Sequence, residues 1–310
     1  MTNVKVNVVK AEYNDFFEIV IGSILKYKIF NILFVLSIAI FSVFFALSIP
    51  NQYRSESLLT STESSGGGVA GMLGQLSGVA SLAGISLGGG DEKAVFHLEE
   101  KLKSRDFLIP FLKKHNIKIP LFAAEDWTQS SNTLVYDSSI YDFNNNKWLR
   151  DVDYPLLPEP TNEEAYKKFR EIFKVSFDRK KAVFKLSVDF YSPEIAKQWL
   201  SLLIEEFNEY ERELQLLEVN NNLEFLNGYL QQAEYTEVRA SLYDLIEDQL
   251  KKMMVSKTKK DFALNVIQAP YIPEEKQSPK RALICLGITF LGVCIALLIS
   301  IIRFVNARKK

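Results

Sequence analysis

The sequence predicts an α+β membrane protein: two transmembrane helices flank an outer α/β domain that has a ferredoxin-like base and a very long helical extension. Three observations predict this class. Two apolar runs lie near the ends of the chain, alternating strand patterns lie between them, and more than sixty consecutive residues have the periodicity of one long helix. The formal net charge of −1 gives no electrostatic argument for nucleic acid as a partner.

Each apolar run is long enough to cross a bilayer. Residues 29–49 and 282–302 each form a stretch of twenty-one residues without a charge, and a membrane-spanning helix needs about 20. The first run is longer than the roughly 7–15 apolar residues of a cleaved signal, so we interpret it as an uncleaved anchor. Both cysteines, Cys285 and Cys294, fall inside the second run.

The distribution of cations predicts the orientation in the membrane. Lysines precede the first run, and Arg303 with three further cations follows the second. By the positive-inside rule, the terminal segments 1–28 and 303–310 lie in the cytoplasm. Residues 50–281 then form a single large domain on the other side of the membrane.

Alternating apolar and polar residues predict the strands of this domain. They occur at 52–60, at 171–190 as a hairpin, and at 261–269. With helical patterns between them, this order is that of a split βαβ, ferredoxin-like sheet. Residues 120–160 are rich in turn residues and aromatics, so we interpret them as irregular surface. Residues 64–90 are glycine-rich and uncharged, so they form either a mobile loop or a segment that orders on a partner subunit, the lipid surface or a lumen-lining position.

The long helix is predicted at about residues 193–256. Ser192 and Pro193 supply an N-cap and a proline in the first turn. At 1.5 Å per residue, such a helix would reach roughly 95 Å, too long to bury its apolar stripe within a domain of this size. It must either fold back near Asn220 or pack against neighbouring chains, and we favour the second. The predicted inter-protomer residues are Trp199, Leu203, Phe207, Tyr210, Leu214 and Leu217.

A proline-rich segment directly precedes the second apolar run. It reads PYIPEEKQSPKR, residues 270–281. Because proline restricts φ, we expect the segment to hold the outer domain at a fixed angle to the span. We expect Lys280 and Arg281 to meet lipid headgroup phosphates.

The spacing resembles the signature P-x2-P-x4-S-P-K followed by G-x4-G of the Wzz-type chain-length determinants, or polysaccharide co-polymerases, of Gram-negative inner membranes. The matching residues are Pro270, Pro273, Ser278, Pro279, Lys280, Gly287 and Gly292. Cys285 stands where the family usually has Val, Ala or Ile. The resemblance extends to the whole chain, since the family has two spans, a membrane-proximal α/β base and a very long outward helix.

The resemblance implies a function and a set of partners. It implies a two-pass inner-membrane protein with a periplasmic domain, forming homo-oligomeric rings beside a Wzy-type polymerase. As an oligomeric scaffold, it would control the modal length of lipopolysaccharide O-antigen or a related surface polysaccharide. Membrane lipids are further partners, and the growing glycan is a candidate partner.

Small residues recur in the second span independently of this resemblance. Gly292, Ala296 and Ser300 stand four residues apart, and small residues on one face let helix backbones approach closely. The resemblance implies that this face, with Gly287, contacts a neighbouring copy, the first span or the polymerase.

Patterns typical of catalysis are missing from the sequence. It contains no G-x-x-x-x-G-K-[ST] phosphate loop, and its only histidines are His97 and His115. We therefore expect no catalytic residues, no cofactor, no metal and no fused kinase of the kind some relatives carry.

Two other functions stay open. The first is a subunit of a polysaccharide export complex. The second is a membrane-anchored receptor, which we disfavour because only eight residues follow the second span and 28 precede the first.

Overall fold

The computed structural model describes residues 22–62 and 97–308, with side chains through residue 306. The chain divides into two compact units. The helix-pair unit comprises Met1–Asn51 and Lys276–Lys310, and the sheet unit comprises Gln52–Glu275. The predicted loop at 64–90 lies outside the described residues, as does most of the predicted amino-terminal segment.

The helices and strands follow one another along the chain in a mixed α and β order. They are α1 (Lys28–Ser48), β1 (Gln52–Ser61), α2 (Arg105–Lys114), α3 (Lys118–Ala123), β2 (Ala124–Thr128), β3 (Thr133–Tyr136), β4 (Tyr141–Asp142), β5 (Lys147–Trp148), α4 (Asn162–Ile172), β6 (Phe173–Asp178), β7 (Val183–Phe190), α5 (Pro193–Gln232), α6 (Thr236–Thr258), β8 (Leu264–Gln268), β9 (Lys276–Ser278) and α7 (Arg281–Arg308).

The helix-pair unit consists mainly of α1 and α7, which pack against each other. Within the described part of the chain, these are the two helices long and apolar enough to cross a membrane. Their outward faces carry exposed apolar side chains such as Phe41, Phe44, Leu286 and Phe290. Side chains of this kind suit a hydrocarbon environment, as expected for transmembrane helices.

The sheet unit is built on antiparallel strands in the order β6-β7-β1-β8. Along β1 every second residue from Ser55 to Ser61 is buried, while the residues between them are partly exposed. This period of two means that one face of β1 packs on the core. Opposite β1, Leu186 pairs with Ser57 and Phe184 pairs with Leu59.

Helices α2, α4 and the first part of α5 contribute to the same core as the sheet. The largest fully buried side chains include Phe169, Phe173, Phe184 and Phe207. Neighbouring rings such as Phe107 and Phe207 meet edge to face, with their centroids 5.0 Å apart. Such pairs add to the free energy gained by burying apolar area.

Local signals fix the helix starts. Thr161 and Glu164 form a reciprocal capping box at α4. Ser192 accepts a hydrogen bond from the Ile195 N–H at 3.4 Å, and Pro193 follows as the first residue of α5. The chain therefore enters α5 as its sequence predicts.

The prediction of one uninterrupted helix over residues 193–256 is wrong. Helix α5 runs through Asn220 without a break, and the chain is extended at Ala233 and Tyr235 before α6 begins. Helices α5 and α6 then pack against each other as a helical hairpin. Packing one apolar side of α5 on α6 stabilises this fold-back, and such tertiary contacts override the helix propensity of the connecting residues.

The interpretation of residues 120–160 as irregular surface is also wrong in part. Helix α3 and two small antiparallel pairs, β2-β3 and β4-β5, occupy this region. Arg150 orders the segment that follows β5, because it donates to the carbonyls of Pro158 and Leu157 at 2.8 and 2.9 Å. The same guanidinium pairs with Glu164 of α4 at 2.9 Å.

Candidate functional site

The contact surface between α1 and α7, the helix seam, is lined by small residues. Gly292, Ala296 and Ser300 of α7 are buried, as are Ser42 and Ala46 of α1. A Cβ added at Gly292 would lie 2.8 Å from a methyl carbon of Ile38. The backbones therefore approach closely at this point, as small residues in membrane helices allow.

Polar groups also join the two helices along the seam. The Ser300 hydroxyl bonds the Asn31 side-chain oxygen at 2.5 Å. The Cys285 thiol lies 3.6 Å from the Ser42 carbonyl oxygen as a weak donor. Arg281 donates to the carbonyls of Ala46 and Ile49 at 3.0 and 3.3 Å.

These contacts assign the small-residue stripe to the chain's own first span. Among the three partners that the sequence left open, the first span is the one that α7 contacts. Gly287 does not belong to the stripe, since an added Cβ there would meet nothing within 4 Å. The prediction that Gly287 makes a helix contact is therefore not met within this chain. Gly287 lies five positions before Gly292, so it falls on another face of α7.

The residues that α1 contributes to the helix seam were not predicted from the sequence. Asn31 is an amide inside an apolar run, and such residues usually face another helix. The same reasoning applies to Ser42, which is almost fully buried. Both signals were present in the sequence.

The proline segment lies where the two units meet along the chain. Pro270 and Pro273 belong to the sheet unit, whereas Ser278, Pro279 and Lys280 belong to the helix-pair unit. Pro273 and Pro279 are buried and Lys280 is exposed. Helix α7 begins directly after this segment, with the Ile284 N–H bonding the Lys280 carbonyl at 3.2 Å.

Two buried serines of β1 hold the start of this segment. Ser57 donates to the Gln268 carbonyl at 2.7 Å, and Ser55 donates to the Tyr271 carbonyl at 2.8 Å. Both hydroxyls are removed from water in the core of the sheet unit. The chain that leaves β8 is therefore fixed beside β1.

A buried asparagine anchors the root of the helical hairpin. The Asn208 side-chain oxygen accepts the N–H groups of Ala263 and Leu264 at 2.8 Å each, and its amide donates to the Leu264 carbonyl at 3.0 Å. Four residues later, Arg212 donates to the carbonyls of Lys259 and Lys260 at 3.0 and 2.8 Å. Together they tie α5 to the chain that returns from α6.

The first part of α5 packs inside the chain's own core. Trp199, Leu203 and Phe207 are 5%, 0% and 0% exposed, and Tyr210 is partly buried against the same core. Predicting Trp199, Leu203 and Phe207 as inter-protomer residues is therefore wrong, because this chain already covers them. Sequence periodicity located the apolar face but not the surface that covers it.

Beyond Glu211, α5 has one face toward α6 and another that is apolar. On the first face Val219 is fully buried, and the Asn222 amide lies 3.5 Å from the Gln249 side-chain oxygen of α6. The other face is exposed. We call this exposed stripe the outer stripe; it consists of Leu214, Leu217, Phe225 and Tyr229 at 39%, 59%, 63% and 55% exposure.

Helix α6 adds further exposed apolar residues to the hairpin. They are Val238, Tyr243, Leu245, Leu250, Met254 and Val255. Soluble single chains rarely expose so many large apolar residues in one region. The hairpin surface is therefore a candidate protein interface, with Leu214 and Leu217 of the predicted inter-protomer set on it.

The open side of the sheet carries a compact ionic cluster. Asp189 receives two hydrogen bonds from Arg54 at 2.6 and 2.7 Å and one from Lys174 at 3.0 Å. Burial alone would raise the pKa of Asp189, but the bonds from Arg54 and Lys174 outweigh it and lower that pKa below its ordinary value. The cluster cross-links β1, β6 and β7.

No group of three potential metal ligands occurs among residues 22–62 and 97–308. His115 lies on α2's carboxyl end, 3.3 Å from Glu206, which also pairs with Lys114 at 2.7 Å. Glu206 therefore joins two helices through an ion pair with Lys114 and a contact with His115.

Solved structures similar to this chain include a full-length bacterial polysaccharide co-polymerase, at a TM-score of 0.37 and 10% identity over 93% of this chain and 97% of that one. A fragment of WzzB, a polysaccharide co-polymerase from Salmonella Typhimurium, has a TM-score of 0.29 and 10% identity, with 74% of this chain and 100% of that one covered.

Both neighbours are polysaccharide co-polymerases. No protein-family model and no curated protein sequence matches the chain.

Proposed function

We propose that this chain is a chain-length regulator of the Wzz type, a polysaccharide co-polymerase for lipopolysaccharide O-antigen or a related surface polysaccharide. It is a non-enzymatic two-pass protein of a Gram-negative inner membrane, with both termini in the cytoplasm and the sheet unit in the periplasm. Several copies form a scaffold beside a Wzy-type polymerase.

The outer stripe is the observation that carries this proposal. In the outer stripe, four large side chains recur along about 120° of the helix surface, at residues 214, 217, 225 and 229. Helix α6 covers a different side of α5, so the fold-back leaves this stripe exposed. A second copy of the chain would cover it, and a scaffold of several copies follows from that contact.

The helix seam and the proline segment support the membrane part of the proposal. The seam pairs α1 with α7 through close backbone approach and polar contacts, so each copy brings its own two-helix anchor. The proline motif matches the family signature position by position from Pro270 to Lys280.

We also propose that the base of the sheet unit is ferredoxin-like. The antiparallel order β6-β7-β1-β8 supports this, because β1 lies between the second strand of the β6-β7 hairpin and the last strand. That is the order of a split βαβ arrangement, with α4 before the hairpin and α5 after it.

A gene deletion tests the function. Without the protein, we expect the glycan ladder on a gel to lose its modal length, and the wild-type gene to restore it. The double variant Leu217→Asp/Phe225→Asp should fail to restore the mode, because charge on the outer stripe opposes apolar contact.

The matched control is Glu224→Asp, a change beside Phe225 at an exposed polar position, and it should restore the mode. An unaltered ladder after deletion would exclude chain-length control. A polysaccharide of normal length that accumulates inside the cell would instead indicate the export function.

A further inference from the structure

Five aromatic rings form a continuous chain across α3 and the two small hairpins. Successive centroids lie 6.3 Å apart from Phe122 to Trp148, 5.0 Å from Trp148 to Tyr141, 4.9 Å from Tyr141 to Phe143, and 4.7 Å from Phe143 to Tyr136. Phe122, at one end, packs against the main core. The Phe143 side chain, by contrast, is 49% exposed.

The turn that carries Phe143 is held by hydrogen bonds. Asp142 accepts the backbone N–H groups of Asn144 and Asn145 at 2.8 and 3.3 Å, and the Asn145 amide at 2.7 Å. The Asn145 amide, followed by the Asn144 N–H, lowers the pKa of Asp142, which keeps the carboxylate ionised. The ring and the exposed amides around it are therefore presented in a fixed arrangement, with little entropy left to lose on binding.

The size of the exposed part of the ring suits a sugar better than a protein. The exposed half of a Phe side chain offers on the order of 100 Å², whereas a stable protein interface buries about 800 Å² on each partner. A pyranose has the matching size. It presents C–H groups on its face, which pack on an aromatic ring, and hydroxyls on its rim, which bond to amides and carboxylates.

We propose that Phe143, with the exposed Asn144 that follows it in the turn, is a subsite for one sugar unit of the surface polysaccharide. This inference rests on the proposed function, because chain-length control brings the glycan to this protein. The rings of Tyr141 and Tyr136 pack against the Phe143 ring, and Asp142 sets the turn.

The test measures binding to full-length protein in nanodiscs. The probe is the host strain's own surface polysaccharide, released from lipid by mild acid and sized to a few repeat units, in a calorimetric titration. We expect Phe143→Ala to weaken binding about five- to tenfold, as loss of one aromatic contact does. Phe143→Trp should retain it.

Two further variants complete the set. Asn144→Ala keeps the backbone N–H to Asp142 and should weaken binding about threefold, so the test stands even where Phe143→Ala unfolds. Leu157→Ala removes another exposed apolar side chain, 59% exposed and outside the ring chain, and should bind like wild type.

Two results would overturn the subsite: wild-type protein that takes up no polysaccharide, or Phe143→Ala and Asn144→Ala proteins that bind like wild type. The gene deletion separates this failure from failure of the proposed function. A ladder that depends on the gene, together with no binding at Phe143, refutes the subsite alone.

Discussion

The two ends of α5 differ in what covers them. In the proximal part, Pro193–Glu211, Trp199 and Phe207 lie in the core of the sheet unit. In the distal part, from Leu214 to Gln232, Val219 is the one buried residue of the helix, all of which the structure describes. The apolar period runs through both parts.

The same apolar pattern therefore has a different role in each part of α5. The proximal face contributes to folding of the single chain, since its burial removes apolar area from water at about 25 cal/mol per Å². The distal outer stripe stays 39–63% exposed, so it gains less from folding of one chain. Its free-energy gain comes when a second copy covers it.

The largest effect is expected in the proximal part. Phe207→Ala should lower the free energy of unfolding by about 3–5 kcal/mol, because it leaves a cavity in a fully buried site. Thermal unfolding of full-length protein in detergent, followed by circular dichroism, measures it. Tyr229→Ala in the outer stripe, at 55% exposure, should change the value by less than about 0.5 kcal/mol under monomeric conditions. Equal losses of unfolding free energy for the two variants would contradict the difference in burial between the two parts of α5.

The helix seam should respond next. Gly292→Val places new methyl groups against Ile38 and should destabilise the α1–α7 pair by about 1–3 kcal/mol. Cysteine cross-linking yield between α1 and α7 would report this loss. Gly287→Val is the matched control in the same helix, and its yield should equal that of wild type because its site is open. A large loss with Gly287→Val would contradict the assignment of the seam.

The ionic cluster of the sheet should show a smaller, pH-dependent effect. The pKa of Asp189 is lowered in the folded state, so its contribution is present above the unfolded carboxyl pKa and is lost as pH falls through the folded pKa, below about 4.

Asp189→Asn should therefore cost about 1–2 kcal/mol at pH 7 and remove part of the acid-dependent loss of stability. Melting temperatures between pH 3 and 7 measure it. Asp244→Asn, at an exposed site on α6, serves as the control. An Asp189→Asn curve parallel to wild type would exclude the role of the cluster.

The smallest effect on the stability of a single chain is expected for a substitution in the outer stripe. Phe225→Asp should change the unfolding free energy of a monomer by at most about 0.5 kcal/mol, because the ring is 63% exposed. Dilution in detergent to monomeric conditions before thermal unfolding provides the measurement. A loss of several kcal/mol would mean that the outer stripe is part of the single-chain fold.

Much of the fold follows from local sequence signals. The start of α5 at Pro193 and the alternation in β1 depend on neighbours a few residues away, so the sequence predicts them. The fold-back at Ala233 does not, because the connecting residues carry no Gly or Pro and tertiary packing decides the break. In the structure the fold-back lies at Ala233, 13 residues beyond Asn220.

Some contacts of the candidate sites likewise follow from local spacing, whereas others depend on tertiary packing. The spacing of Gly292, Ala296 and Ser300 predicts a close helix contact, and the structure supplies its partner in α1. Asn208 lies on the long helix beside Phe207, and its three bonds to residues more than 50 positions away are set by tertiary packing. Sequence alone does not connect them.

The particle mass of full-length protein in mild detergent, compared with that of Leu217→Asp/Phe225→Asp, tests most directly whether other copies cover the outer stripe. We expect several copies in the wild-type particle and a single folded chain for the variant, as heat-stable as wild-type protein diluted to monomeric conditions. A wild-type protein that is a single folded chain, with the outer stripe still exposed, would contradict the claim that other copies cover it.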